Sequence, residues 1–280
     1  VTGPAARFLA LLLAVVAVGT SPARAQSLPT DLTFPTGERP DSWHLWTGAA
    51  LGWNPPVLGT MVKAYRKFPF GTGQSLLTCD QHWRLGPHVT LTPTYARPGF
   101  FIGISPLLIL DLDVSYGPGL AWFHYVFDSY RQPYDPASRD KVGRTEGMYH
   151  HVMINLVLKA AVWRFALLVM GDADWYQSKR HFFHWEIGTI LKTGWDNRAK
   201  VFLLFETWKG LRVFANYEFY RYHPTAYVTQ LVSGGVIAQG WLPWGTSILV
   251  QGGYHLENPD WHGFKIWAAA FWDWDWPILD

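Results

Sequence analysis

Apolar and polar residues alternate with a period of two through most of the chain. Val152, Ile154, Leu156 and Leu158 fall on one side of an extended segment, with His151, Asn155 and Lys159 on the other. After a phase change near Ala160-Ala161, Trp163, Phe165, Leu167 and Val169 share a face opposite Arg164, Asp172 and Asp174. The same sorting sets Leu108, Leu110, Leu112 and Val114 against Asp111, Asp113 and Ser115, and Trp185, Ile187 and Leu191 against Glu186 and Lys192. It sets Val201, Leu203 and Phe205 against Lys200 and Glu206, and Val213, Ala215, Tyr217 and Phe219 against Arg212, Asn216, Glu218 and Tyr220. Near the end, Phe264, Ile266, Ala268, Ala270, Trp272 and Trp274 oppose Lys265, Asp273 and Asp275. Successive side chains of a strand point to opposite faces, so each segment reads as a strand with one apolar and one polar face. A single membrane helix over 152–169 would have to carry Asn155, Lys159 and Arg164 into hydrocarbon, at a high cost.

The alternation, with breaks at Gly and Pro, predicts strands near 43–53, 57–67, 86–96, 99–116, 119–129, 147–160, 162–176, 181–192, 199–208, 211–221, 225–238, 245–256 and 261–276. Residues 57–67 alternate least clearly. Single-chain bacterial barrels close with an even number of strands, so about 12 is the expected count, with about 10 and about 14 as bounds. Trp208-Lys209-Gly210 suits a hairpin loop with Gly210 in the left-handed conformation. That register places Glu206 opposite Arg212 and Lys200 opposite Glu218 on the polar face. Gly117-Pro118 reads as a second tight connection, which would set Asp111 opposite His124. With these strands the long 130–146 connection falls at the same end as the C-terminus, whereas long barrel loops are expected on the extracellular side.

The ends and the composition narrow the class. Arg7 precedes an apolar run from Phe8 to Val18, and Ala23-Arg24-Ala25 offers a small-x-small cleavage site, so residues 1–25 read as a cleaved signal peptide. Residues 26–42, with Pro29, Pro35 and Pro40, read as a periplasmic leader, and 43–280 as one barrel domain. Without Arg7 and Arg24 the chain carries 21 basic and 21 acidic residues, a balance that gives no reason to expect nucleic acid as a partner. Cys79 is the single cysteine, so no intramolecular disulfide can form. The 17 Trp, 13 Tyr and 17 Phe are unusually many for a chain with 16% charged residues. Trp and Tyr favour the two membrane interfaces, where one end of the ring is apolar and the other wet.

The signal peptide, the alternating strands and a final strand bearing Trp274 and Trp276 together resemble bacterial outer-membrane β-barrel proteins as a class, over roughly residues 43–276. The resemblance implies an all-β fold: a single antiparallel transmembrane barrel in the outer membrane of a Gram-negative bacterium, in contact with lipid and lipopolysaccharide. It also implies folding by the barrel-assembly machinery, which reads an aromatic residue on the last strand. Pro277-Ile278-Leu279-Asp280 after Trp276 departs from that ending.

Candidate chemistry is sparse. Asp111, Ser115 and His124 have the components of an orienter, a nucleophile and a base, as in an outer-membrane lipid hydrolase, but they point inward, away from any lipid substrate. His150 and His151 are consecutive, and His181 and His184 are three apart, so neither pair shares a strand face for a metal ion. No metal and no cofactor is expected. The broader signal is a set of inward charges: Lys159, Arg164, Lys192, Lys200 and Arg212 with Asp172, Asp174, Glu186, Glu206 and Glu218 across one lumen. They point to a narrow channel or uptake barrel for small polar solutes. An enzyme acting on phospholipid or lipopolysaccharide and a closed structural barrel are the alternatives, and no nucleophile motif favours the enzyme.

Overall fold

The computed structural model describes residues 43–53, 57–70, 78, 80–93, 95–122, 147–179, 182–184, 189–191, 193–239, 246–257 and 263–276. The strands are β1 (Trp43–Trp53), β2 (Val57–Pro69), β3 (His82–Leu91), β4 (Tyr95–Leu107), β5 (Leu110–Ala121), β6 (Gly147–Val162), β7 (Phe165–Ser178), β8 (Phe182–His184), β9 (Thr189–Leu191), β10 (Gly194–Trp208), β11 (Leu211–Tyr222), β12 (Tyr227–Gln239), β13 (Ser247–Glu257) and β14 (Gly263–Trp276). Among the described residues, twelve of them form a closed antiparallel barrel in the order β1 to β7, then β10 to β14. β14 returns to β1 in unbroken register from Trp43↔Trp276 to Trp53↔Ile266. Closure leaves no open sheet edge, the condition for a sheet to stand in hydrocarbon.

Period-two patterning becomes inside and outside. Along β3, His82, Arg84, His88 and Thr90 are buried, whereas Trp83, Leu85 and Leu91 are exposed. The outer wall carries Leu58, Ile102, Leu112, Val114, Ile154, Leu156, Leu203, Val232, Val236, Val250 and Ile266, all exposed. Outward aromatics gather toward the two ends: Trp83, Trp163, Phe165 and Trp208 near the termini, and Trp53, Tyr116, Trp122, Trp195, Tyr254 and Phe264 near the other end. The interior is less uniformly polar than the alternation implies. Ala166, Leu204, Phe214 and Leu249 point inward and pack with Leu168, Phe202, Ile237, Trp267 and Phe271, an apolar wedge on the β7 and β10–β14 side.

Three expectations about strand limits change. Residues 57–67, the least regular segment, form a full wall strand, β2. Of residues 181–192, the described parts β8 and β9 pair with each other as a separate two-stranded sheet rather than joining the barrel. Gly117-Pro118 is not a turn but lies within β5, and the chain reverses at Leu108-Ile109, between Leu107 and its partner Leu110. The reason lies across the sheet. The β4–β5 ladder keeps one register from Tyr95↔Ala121 to Ile104↔Leu112 but is interrupted between Ala96↔Leu120 and Phe100↔Tyr116. In that gap a Cβ on Gly99 would lie 2.4 Å from the Tyr116 carbonyl oxygen, and one on Gly117 2.3 Å from that of Pro98. Gly and Pro here accommodate a close backbone approach where proline has no N–H to give the ladder.

Taking β8 and β9 out of the wall corrects the sidedness, because seven wall strands rather than eight then follow the long connection and the C-terminus returns to the other end. β5 ends and β6 begins at the end away from the termini, so the connection over residues 122–146 belongs there. At the termini end, the reversals at Leu108-Ile109, Trp163-Arg164 and Lys209-Gly210 are tight. Gly210 has φ 76°, the left-handed geometry expected of it, and Glu206↔Arg212 and Lys200↔Glu218 are in register, with an irregularity between Glu206 and Trp208.

Candidate functional site

Inward polar residues of neighbouring strands assemble into three groups. The first spans β3 to β6. Arg84 Nη2 lies 3.0 Å from Asp113 Oδ1 and 3.8 Å from Asp111 Oδ1, and Lys159 Nζ lies 2.6 Å from Asp111 Oδ2. Ser105 Oγ donates to Asp111 Oδ1 at 2.5 Å and stands 3.4 Å from His82 Nε2. Asp111, Ser105 and His82 are buried, and the strand register that places Asp113 beside Gly103 and Asn155 stacks the charges along one wall. These side chains interlock, which suits a barrel wall better than a reactive centre.

The second group lies nearer the opposite end. His151 Nε2 is 2.5 Å from Asp174 Oδ1, Asn155 Nδ2 donates to Asp172, and the Tyr220 hydroxyl donates to Asp196 Oδ2 at 3.1 Å. Around it run the inward tyrosines Tyr95, Tyr149, Tyr176, Tyr222 and Tyr227, all buried. Tyr149 links Tyr95 and Tyr176 by ring contacts at 6.2 and 6.4 Å, and His151 stacks on Tyr176 at 4.6 Å.

The third group surrounds a cavity of about 330 Å³ inside the barrel. Arg198, Lys200, Glu218, Tyr220 and His255 line one side, and Lys265 with the rings of Trp46, Trp267 and Phe271 another. Lys200 Nζ is 3.6 Å from Glu218 Oε2, and Asn216 Nδ2 donates to Glu218 Oε1 at 2.8 Å. Space comes from small residues on β1 and β14: Gly48, Ala50 and Ala269 face inward, and a Cβ on Gly48 would lie 2.7 Å from the Trp46 ring.

The residues singled out from sequence divide accordingly. Lys159, Asp172, Asp174, Lys200, Glu206, Arg212 and Glu218 take inward positions on β6, β7, β10 and β11. Arg212 Nη1 donates to Gln239 Oε1 at 2.6 Å. Arg164 does not point into the lumen: it sits exposed in the β6–β7 turn, its guanidinium 5.5 Å from the Trp163 ring, because the phase change falls at the turn itself. Glu186, Lys192 and His124 lie outside the described residues. With β5 unbroken through Gly117-Pro118, Asp111 faces Val157 across the ladder, and the turn on which the Asp111–His124 pairing rested is not there. Ser115 is buried opposite Phe101 and Met153. His150 turns outward and stacks on Tyr116, whereas His151 turns inward, as parity requires.

The sequence reading put His151 and Tyr220 on the polar face but did not single out Tyr95, Tyr149, Tyr176, Tyr222 and Tyr227, having assigned aromatics to the interfaces. A usable signal was present: Tyr149 and His151 share parity with Asn155 and Lys159, and Tyr176 with Asp172 and Asp174.

No protein-family model matches the chain, and no curated protein matches it. Among solved structures it is similar to bacterial outer-membrane β-barrel proteins. An outer membrane channel from Pseudomonas putida F1 shares 10% identity over 86% of this chain and 99% of that one, with a TM-score of 0.49. The NanC porin shares 8% over 81% and 98%, with a TM-score of 0.41. LpxR from Salmonella typhimurium shares 9% over 82% and 99%, with a TM-score of 0.43. Likenesses of this strength carry no argument about activity, and the architecture rests on the closure of this barrel itself.

Proposed function

We propose that this chain is an integral barrel of a Gram-negative outer membrane that acts as a narrow channel for small polar solutes. The observation that carries the reading is the lumen cavity of about 330 Å³, walled by charged and aromatic side chains. Twelve strands stand between barrels whose side chains fill the interior and porins with a wide aqueous pore. The interlocked Arg84, Asp111, Asp113 and Lys159 group and the apolar wedge occupy much of the section, which leaves room for small solutes only. In this reading the lumen-facing charges Lys200 and Glu218 set the barrier a solute meets. The outward aromatics at both ends form the two membrane girdles, and the termini end faces the periplasm. The signal peptide over residues 1–25, the lipid and lipopolysaccharide surroundings and assembly by the barrel machinery belong to the same proposal.

Recording from the purified protein in planar bilayers tests it. Small, discrete current steps are expected, and neutralising Lys200 together with Glu218 should change their size. A protein that passes no current and instead releases fatty acid from purified phospholipid or lipopolysaccharide would overturn the channel in favour of an enzyme.

A further inference from the structure

We infer that the cavity between β1, β14 and the β10–β11 pair is a binding station for an uncharged cyclic polyol, a pyranose sugar being the simplest example. As a step in solute passage the inference rests on the channel reading, but as a binding site it stands on the cavity alone.

The polar side of the cavity is the first ground. Its cations stand against acids on neighbouring strands. Lys200 faces Glu218 across the β10–β11 ladder, and Arg198 faces Asp172 across the β7–β10 ladder and interacts with Asp174 and Asp196. Lys265, from β14, acts on Glu218 as well. With acids and bases set against each other, the wall selects a solute by hydrogen bonding rather than by sign of charge. Its carboxylate only accepts, and its ammonium and guanidinium groups only donate. A hydroxyl does both, whereas a carboxylate or an ammonium on the solute would match only one kind of group. Lys200 Nζ and Glu218 Oε2 are 3.6 Å apart, longer than a direct hydrogen bond, so one hydroxyl can accept from the first and donate to the second. Thr90 marks another contact point on the wall: it is 3% exposed, and its hydroxyl finds no hydrogen-bond partner among the described residues. Buried hydroxyls are rarely left so, and a solute hydroxyl supplies the missing partner.

An apolar platform beside that polar edge is the second ground. Trp267 faces Gln251 across the β13–β14 ladder, and Gln251 Nε2 donates to Glu218 Oε1 at 3.4 Å, so the indole and the carboxylate occupy neighbouring parts of the wall. Asn216 donates to the same oxygen at 2.8 Å and helps to hold the carboxylate in place. Along the inward face of β14, Ala269 separates Trp267 from Phe271, and its small side chain keeps the space between the two rings open. A volume of about 330 Å³ lies at the lower end of ligand pockets, enough for one small ring. Aromatic faces are apolar and carry partial negative charge. A pyranose offers such a face its C–H bonds and carries its hydroxyls around the edge, where Lys200, Glu218 and Thr90 stand. An acyclic polyol has the hydroxyls without the rigid face and loses more conformational freedom on binding. A flat aromatic solute has the face but not the hydroxyls.

Saturation-transfer NMR on the refolded full-length chain in detergent is the test, with glucose, galactose and mannose as probes and sorbitol, glucuronate and glucosamine for comparison. At least one of the three hexoses should bind saturably and about tenfold or more tighter than sorbitol, with the strongest transfer to its ring C–H protons. Glucuronate and glucosamine should bind no tighter than that hexose. Glu218→Gln should weaken the hexose about tenfold, since a hydrogen bond to a charged group is worth about that factor. Trp267→Ala should remove the transfer to the C–H face, and Ala269→Leu, which fills the cavity without altering charge, should abolish binding. Unheated gel migration confirms that each variant is folded, and the comparison of probes on the parent protein needs no variant. Sorbitol held as tightly as every hexose, a charged sugar held about tenfold tighter than the neutral ones, or a hexose held equally well after Ala269→Leu would overturn the site. Bilayer currents without hexose binding would leave the channel standing and remove the site, whereas hexose binding without current would do the reverse.

Discussion

The Lys159 ammonium lies 2.6 Å from Asp111 Oδ2, tying β6 to β5 on the inner wall beside the Arg84 guanidinium. Asp111 also accepts from Ser105, so one buried carboxylate serves donors from three strands. Asp111→Ala removes the carboxylate that lies between Lys159 and Arg84 and leaves the Ser105 hydroxyl without that acceptor. It should destabilise the barrel by about 3 kcal/mol, the scale for breaking a buried pair by deleting one partner. Asp111→Asn, which still accepts from Ser105, should cost less. Urea unfolding in lipid vesicles, followed by tryptophan fluorescence, measures both; equal costs would show that the hydrogen bond matters little.

Lys200 and Glu218 face one another across β10 and β11 at 3.6 Å, next to the cavity. Reversing both should be tolerated better than reversing either one, with a coupling of roughly 0.2–1 kcal/mol because the pair is not fully dry. Glu206 and Arg212, in the same register, should couple more weakly, since Arg212 already donates to Gln239. A double-mutant cycle on unfolding free energies checks this, and strictly additive effects at Lys200 and Glu218 would count against the pair.

Gly86 lies where β3 passes close to β2. A Cβ there would lie 1.9 Å from the Ala64 carbonyl oxygen and 2.7 Å from the Tyr65 Cα, both backbone atoms that cannot rotate away. Gly86→Ala should therefore cost about 1–3 kcal/mol, the range for overpacking. Gly171→Ala, with nothing within 4 Å, is the matched control and should stay within about 0.5 kcal/mol. Refolding yields and urea midpoints of the two variants, compared side by side, decide it.

Ile154 sits on the outer wall near the middle of β6. If that wall faces hydrocarbon, Ile154→Arg should cost about 2–4 kcal/mol in vesicles, while an arginine at Trp163, in the turn, should cost at most about 1 kcal/mol. Equal small costs at both positions would mean that the middle of the wall is wet. In the same preparation, unheated protein should migrate differently from heated protein on gels and show a β-rich circular dichroism spectrum.

Local order was legible from residue types because parity is a local property. A strand that must show lipid one face and a lumen the other writes that demand on every second residue, so the facing of β6, β7, β10, β11 and β14 could be read directly. The β10–β11 register followed from a single glycine and two opposite-charge pairs. What parity cannot report is which strands end where when no turn residue marks the spot: Leu108-Ile109 reverses the chain within an apolar run, and Gly117-Pro118 looks like a turn but relieves a contact with Pro98 and Gly99. Counting 181–192 as a wall strand is what put the 130–146 connection at the same end as the C-terminus. Closure and register, which depend on all the strands at once, brought Asp111 to Lys159 and Arg84, gathered Tyr95, Tyr149, Tyr176, Tyr222 and Tyr227 in one interior group, and set Arg198, Lys200 and Lys265 around one cavity. Sequence determined the sidedness of these residues because it is fixed within each strand; the tertiary structure decided their neighbours because those come from strands distant in the chain.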